Sequence, residues 1–364
     1  MAESNRLAEL IQARIDRFLD ERTSILTSIS EDLVPFCEFS RQFLSGGKRF
    51  RAQFCYRGWQ SVNGADAGPA IDDVAIGAAA ALEVFHAAAL VHDDVIDSSD
   101  TRRRAPSAHK RFEAMHDRLG YAGTANDFGT SSALLLGDLL LGWSDELLDE
   151  ALGALDTPEH AAAARRLFNR MRTEVTAGQY LDILEEHAWN TRAEDDLLTH
   201  AQRVIIYKSA KYSVEAPLLI GATIAGASRA QRDTLHEFGL PLGIAYQLRD
   251  DLLGVFGDTA VTGKPSGDDL REGKRTVLIA LARQKLPGSA RRLLDELLGD
   301  PDLEPAQIAL LQSTITASGA VNAVERLISR NADVANAALD EAPLDACAIA
   351  QLRSLTRSVT DRAA

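Results

Sequence analysis

Residues 76–97 read IGAAAALEVFHAAALVHDDVID. From Ile76 to Val91 the run is apolar, marked only by Glu83 and His86, and it closes on His92-Asp93-Asp94-Val95-Ile96-Asp97. About 16 apolar residues carrying a Glu and a His are too few and too polar to span a bilayer. The stretch therefore predicts a buried core helix from about Asp72 to Asp97. Its small-residue runs, Ala78 to Ala81 and Ala87 to Ala89, let neighbouring helices approach closely or leave room beside the helix.

Helical periodicity recurs on either side of this segment. Leu7, Leu10, Ile11, Ile15 and Phe18 form one stripe, and Leu134, Leu135, Gly137, Asp138 and Leu141 continue the habit. Breaks are short: Asn63 to Pro69, Asp156-Thr157-Pro158, Leu286-Pro287-Gly288 and Gly299-Asp300-Pro301. Thr157 and Pro158 suit the N-cap and first position of a helix. The longest irregular stretch, Gly257 to Arg275, reads as a lid or phosphate-contacting loop. No repeat, low-complexity tract or long linker is visible. An all-α fold in one domain spanning 1–364 is predicted: N-terminal helices over 1–40, a motif-bearing core over about 40–280, and C-terminal helices over 281–364.

Composition agrees. The 364 residues include only 11 prolines and 6% aromatics, against 46% hydrophobic and 25% charged residues. That is the balance of a globular, helix-rich chain. Lys+Arg total 39 and Asp+Glu 53, so the net charge is 39 − 53 = −14, which argues against nucleic acid or an anionic membrane as partner. Cys37, Cys55 and Cys347 are odd in number and widely spaced, and no signal peptide is visible at the N-terminus. A reducing, cytoplasmic location is expected.

Two acidic clusters carry the chemistry. Asp93 and Asp97 are four residues apart, so a helix presents both carboxylates on one face. Two hard oxygen donors one turn apart suit Mg²⁺, which leaves its other positions to water and substrate phosphate. Arg102 and Arg103 follow, and guanidinium forks bind phosphate oxygens. The second cluster, Tyr246-Gln247-Leu248-Arg249-Asp250-Asp251-Leu252-Leu253-Gly254, ends another apolar helical stretch, 250 − 93 = 157 residues on. Facing helices of this kind could share one metal site. Further cations stand in Ser45-Gly46-Gly47-Lys48-Arg49-Phe50-Arg51, a glycine-bearing turn entering a helix, and in Tyr207-Lys208-Ser209-Ala210-Lys211.

Taken in order, Gly46-Gly47-Lys48-Arg49-Phe50-Arg51, Asp93-Asp94-Val95-Ile96-Asp97 with Arg102-Arg103, Gly178-Gln179-Tyr180-Leu181-Asp182, Lys208-Ser209-Ala210, and Gln247-Leu248-Arg249-Asp250-Asp251 through Gly263-Lys264 and Gly273-Lys274-Arg275 resemble the trans-isoprenyl diphosphate (polyprenyl) synthases, geranylgeranyl diphosphate synthases among them. The resemblance covers roughly residues 40 to 280. It implies a class I isoprenoid synthase bundle of antiparallel helices around a deep central cavity, and a homodimer. It also implies Mg²⁺, about three ions with the diphosphate bound. Carried over, Asp93, Asp97 and Asp250 are metal ligands supported by Asp94, Asp251 and Asp182. Arg102, Lys208 and Lys264 hold an allylic diphosphate; Lys48, Arg51, His86 and Arg103 hold isopentenyl diphosphate; Ser209, Tyr246 and Gln247 line the reacting region. Departures from the family pattern are Gly254 where many members carry a third aspartate, Ser209 for threonine, Arg104 for glycine and Ala52 for proline.

The implied reaction ionises the allylic C–O bond, alkylates the double bond of isopentenyl diphosphate and loses a proton, which the released diphosphate can accept. Ala88 and Ala89, five and four residues before Asp93, are too small to stop a C15 tail. Phe85 lies about one turn, roughly 5 Å, deeper than Ala88. That spacing predicts geranylgeranyl diphosphate (C20) as main product, with C15 or longer chains as alternatives. A terpene cyclase would be expected to carry an Asn/Ser/Glu-type second metal motif, and a non-catalytic partner subunit or scaffold to lack metal ligands.

Overall fold

The computed structural model of the chain describes residues 2–64, 69–102, 105–258 and 266–360. Arg103, Arg104, Gly263 and Lys264 lie outside the described residues, as does the 259–265 part of the expected lid. The described chain is helical apart from one antiparallel pair of two-residue strands, β1 (Thr101–Arg102) and β2 (Ala105–Pro106). It divides into two compact units: residues 1–165 with 220–227, and residues 166–219 with 228–364.

The first unit holds α1 (Ala2–Ile29), α2 (Val34–Phe43), α3 (Phe50–Asn63), α4 (Pro69–Ile96), α5 (Ala108–Leu119) and α6 (Ala125–Gly153). Helix α4 is the predicted core helix and packs against α1, α3, α5 and α6. Ala78 to Ala81, Leu82 and Val84 are all fully buried, which is what the small-residue runs permit. Its apolar portion is longer than the sequence reading allowed, since Asp73–Ile96 is long and apolar enough to cross a membrane, but 83% of an 18-residue apolar window within it is buried inside the protein. Two stripe assignments need correction. Leu7, Ile11, Ile15 and Phe18 are buried while Leu10 is 42% exposed, and on α6 Leu134 and Leu135 face outward while Ala133, Leu136 and Leu140 fill the core. The inward face of α6 is thus offset by about one residue, or 100° of rotation, from the predicted stripe.

The second unit begins within α7 (Pro158–Ala188), whose first turn starts at Pro158 with Thr157 accepting the first backbone hydrogen bonds. Helix α8 (Leu197–Val204) runs into an 11-residue π-helix, Ile205–Glu215, which continues into α9 (Ala216–Ile224), a helix whose residues from 220 onward are counted with the first unit. Helix α10 (Arg229–Phe256) starts on a capping box at Ser228 and packs along the π-helix. The expected lid is partly ordered as a short helix, α11 (Asp268–Glu272), anchored by the fully buried Leu270. The remaining helices are α12 (Val277–Lys285), α13 (Gly288–Leu297), α14 (Pro305–Ala317), α15 (Ala320–Ala338) and α16 (Ala346–Thr360). The predicted breaks at Pro287 and Gly299 fall at the boundaries of α13.

Candidate active site

In the first unit, Asp93, Asp94 and Asp97 occupy the last turn of α4 and its exit, where the Asp97 N–H donates to the Asp93 carbonyl at 2.8 Å. The turn therefore continues through Asp97, keeping the two carboxylates on the spacing the sequence implies. Asp94 is turned inward and fully buried. Arg102, on β1, reaches back to this cluster: its Nε donates to Asp94 Oδ1 at 2.8 Å, an Nη bonds the same oxygen, and that Nη lies 3.5 Å from Asp93 Oδ2. A buried carboxylate needs such a partner, because desolvation of an unpaired charge is costly.

Lys48 is exposed on the loop entering α3, whereas Arg51 and His86 are half-buried. The loop is shaped by positive φ at Gly46, Gly47 and Arg49. Arg49 turns its guanidinium into the core, where it meets Glu83 at 3.3 Å and donates to the Leu44 carbonyl and to Gln12. Glu83 also accepts from the Ala52 N–H at 3.1 Å. This buried pair sets the path of the backbone between Lys48 and Arg51. The sequence reading missed it; the signal was the single acid in an otherwise apolar run. Along α4, Phe85 is buried (4% exposed), Ala88 is fully buried and Ala89 is half-buried.

In the second unit the π-helix carries Lys208 and Ser209. Lys208 is ion-paired with Asp182 of α7, and Ser209 donates to Gln247 of α10. Gly178, one turn before Asp182, lies directly against the backbone of Tyr207 and Lys208, where any Cβ would collide. The glycine thus lets α7 approach the π-helix closely enough for Asp182 to reach Lys208. Such π segments are rare and concentrate at functional sites. Tyr246 and Gln247 are half-buried on α10, Asp250 is exposed, and Asp251 is 5% exposed. Gln247 Nε2 donates to Asp251 Oδ1 at 2.7 Å, and Asp251 Oδ2 is buried with no hydrogen-bond partner. Burial pushes the Asp251 carboxyl well above the usual carboxylate range; the charges of Asp269, Asp250 and Asp182 push it further, against the pull of Gln247. Arg249 turns away from this cluster, gripping Glu325 through two bonds of 2.6 and 2.8 Å and donating to the Thr360 carbonyl.

These donors fit Mg²⁺. They are hard carboxylate oxygens, and the orphaned Asp251 oxygen is the kind of buried acceptor that a hydrated cation satisfies. Among the described residues no three Asp, Glu, His or Cys side chains converge into a ready metal cage. An apolar cavity of about 210 Å³ in the second unit, lined by Ile205, Ile244, Leu248 and Val277, contains none of the predicted site residues.

Comparison with known proteins shows the family and the fold. The sequence profile of the polyprenyl synthetase family matches residues 35–315. A geranylfarnesyl diphosphate synthase of Aeropyrum pernix is 31% identical over 281 residues, 77% of this chain and 79% of the relative. A geranylgeranyl diphosphate synthase of Sulfolobus acidocaldarius is 31% identical over 277 residues, 76% of this chain and 75% of the relative. The crystal structure of a geranylgeranyl pyrophosphate synthase from Corynebacterium glutamicum, complexed with isoprenyl diphosphate and magnesium, superposes with a TM-score of 0.92 at 39% identity, covering 98% of this chain and 99% of that one. The chain has the all-α isoprenoid synthase fold, belongs to the polyprenyl synthetase family, and is a prenyltransferase.

Proposed function

We propose that the protein condenses isopentenyl diphosphate with an allylic diphosphate, head to tail and in the trans configuration, and that geranylgeranyl diphosphate (C20) is its main product. The observation that carries this reading is that acidic and basic groups are paired in both units: Arg102 with Asp94, and Lys208 with Asp182. Charges placed this way are suited to receive a metal–diphosphate complex, the carboxylates turning to cations and the cations to phosphate oxygens. We read 1–364 as a single isoprenoid synthase domain, a reading supported by one family profile that runs from residue 35 to 315, through stretches of both units.

Bound Mg²⁺ supplies electrostatic stabilisation of the negative charge that gathers on the departing diphosphate. Asp93 and Asp97 at the end of α4, and Asp250 on α10, would each be metal ligands, with Asp94, Asp251 and Asp182 supporting them. Arg102, Lys208 and Lys264 grip the allylic diphosphate as its C–O bond breaks. Lys48, Arg51, His86 and Arg103 hold isopentenyl diphosphate, whose double bond attacks the allylic carbon. Ser209, Tyr246 and Gln247 line the reacting region. No side chain has to act as a strong base, since the proton lost in the last step passes to the released diphosphate.

Phe85 sets the product length, one turn beyond Ala88 and Ala89 on α4. The C20 and C25 products named for the Sulfolobus and Aeropyrum relatives support a floor in this range. A homodimer is proposed from the outward-facing Leu134 (43% exposed) and Leu135 (60% exposed) of α6, an apolar face left open by the single chain. Three free cysteines support a reducing, cytoplasmic setting. The test of this reading is a product ladder. Wild-type protein given Mg²⁺, isopentenyl diphosphate and each of the C5, C10 and C15 primers should finish at C20, and Phe85→Ala should finish longer. Turnover that continues without isopentenyl diphosphate would point to a terpene cyclase instead.

A further inference from the structure

Gly254 follows Asp250 by one helical turn on α10, and the space above it is filled by Asp269. A methyl group built on Gly254 would overlap both carboxylate oxygens and Cγ of Asp269. This placement is built by the surrounding structure. Leu270, the next residue, is fully buried, and its carbonyl accepts from the Gly299 N–H at 2.9 Å. The Asp269 carbonyl accepts from the Lys274 N–H at 3.1 Å. Gln312 ties the start of this segment to the end of α10, donating to the Val255 carbonyl at 2.6 Å and lying 3.2 Å from Ser266 Oγ.

The second observation is Asp251. Its side chain is almost wholly buried, one of its oxygens has no hydrogen-bond partner, and it stands on the same helix three residues before Gly254, the residue against which Asp269 lies. A buried carboxylate oxygen with no hydrogen-bond donor is costly to leave uncompensated, and a bound cation would compensate it. A carboxylate that leans onto a bare Cα beside this group is placed where a cation would be held.

We propose that Asp269 is a carboxylate of the second metal cluster, supplied from α11 into the space that the missing side chain of Gly254 leaves open, and that it binds the cation–diphosphate complex together with Asp250 and Asp251. The inference rests on the reading of Asp250 as an Mg²⁺ ligand. Gly254 is then required for Asp269 to reach the cluster, because any side chain there displaces Asp269.

Binding of Mg²⁺ with inorganic diphosphate, followed by calorimetry and by the rise in Tm, tests the assignment without turnover. Asp269→Asn and Gly254→Ala should each weaken Mg²⁺-dependent diphosphate binding by about tenfold or more, with no fall in the Tm of the metal-free protein. A double variant, Gly254→Asp with Asp269→Asn, returns a carboxylate from the α10 side and should recover binding to within about threefold of wild type. Asp250→Asn is the control for the underlying reading. If it loses binding while Asp269→Asn and Gly254→Ala bind like wild type, the role of Asp269 is overturned and the metal site stands. If Asp250→Asn itself binds unchanged, the reading of the metal site fails. If Asp269→Asn proves unstable, failure of the Gly254→Asp double variant to recover binding, with Gly254→Ala binding normally, also overturns the proposal.

Discussion

The guanidinium of Arg102 is bound to the carboxylate of Asp94, whose side chain is 1% exposed, through Nε and one Nη. The pair joins a cation proposed to grip diphosphate to an acid proposed to support a metal ligand. It also satisfies a charge that the end of α4 buries.

Arg102→Gln should therefore act twice. Leaving Asp94 buried without its cation costs about 3 kcal/mol or more of stability in the metal-free protein, read as a lower unfolding midpoint in EDTA. Losing a donor to the departing diphosphate should lower kcat/KM for the allylic primer about 100-fold or more, measured by steady-state kinetics. Asp94→Asn added to Arg102→Gln should restore much of the stability and none of the activity.

The buried Arg49–Glu83 pair predicts a different pattern. Glu83→Gln leaves Arg49 buried without its counter-charge, at a cost of about 3–5 kcal/mol. The apolar replacement Arg49→Met with Glu83→Leu should cost far less stability. Because Arg49 shapes the backbone between Lys48 and Arg51, both variants should raise KM for isopentenyl diphosphate more than KM for the allylic primer. Denaturant unfolding and two-substrate kinetics check the two halves.

Asp251 predicts a pH dependence. Its carboxyl titrates higher in the folded protein than in the unfolded chain, so its contribution to stability is fully present below the ordinary carboxylate pKa of about 3.9 and is lost as pH rises through the raised folded value. In EDTA, Asp251→Asn should raise Tm at pH 8, and that gain should shrink steadily as the pH is lowered towards 4. A gain that does not change with pH would show that Asp251 is not held in this state.

Much of this was legible in the residues. The apolar run ending at Asp93 predicted α4, and Pro158, Pro287 and Gly299 marked helix boundaries that the structure keeps. The motif set led to the family because its chemistry sits in local, ordered blocks. What escaped the reading is non-local. Nothing in the spacing of residues 205–215 announces a π-helix, since its register comes with the close approach of Gly178 to the backbone at Lys208. The Arg49–Glu83 pair spans 34 residues of sequence and two helices. Gly254 read as a departure from the family pattern until Asp269 was seen lying against it. The outward turn of Leu134 and Leu135 escaped because an apolar stripe predicts burial without saying against what.

The central claim is that this chain extends an allylic diphosphate by isopentenyl diphosphate under metal control. The most direct test is to incubate the purified protein with Mg²⁺, C15 allylic diphosphate and labelled isopentenyl diphosphate, and to analyse the dephosphorylated products by chain length. Label in a C20 alcohol that disappears when EDTA is added is the predicted result. No labelled C20 product in the presence of Mg²⁺, or the same product with the metal removed, would contradict it.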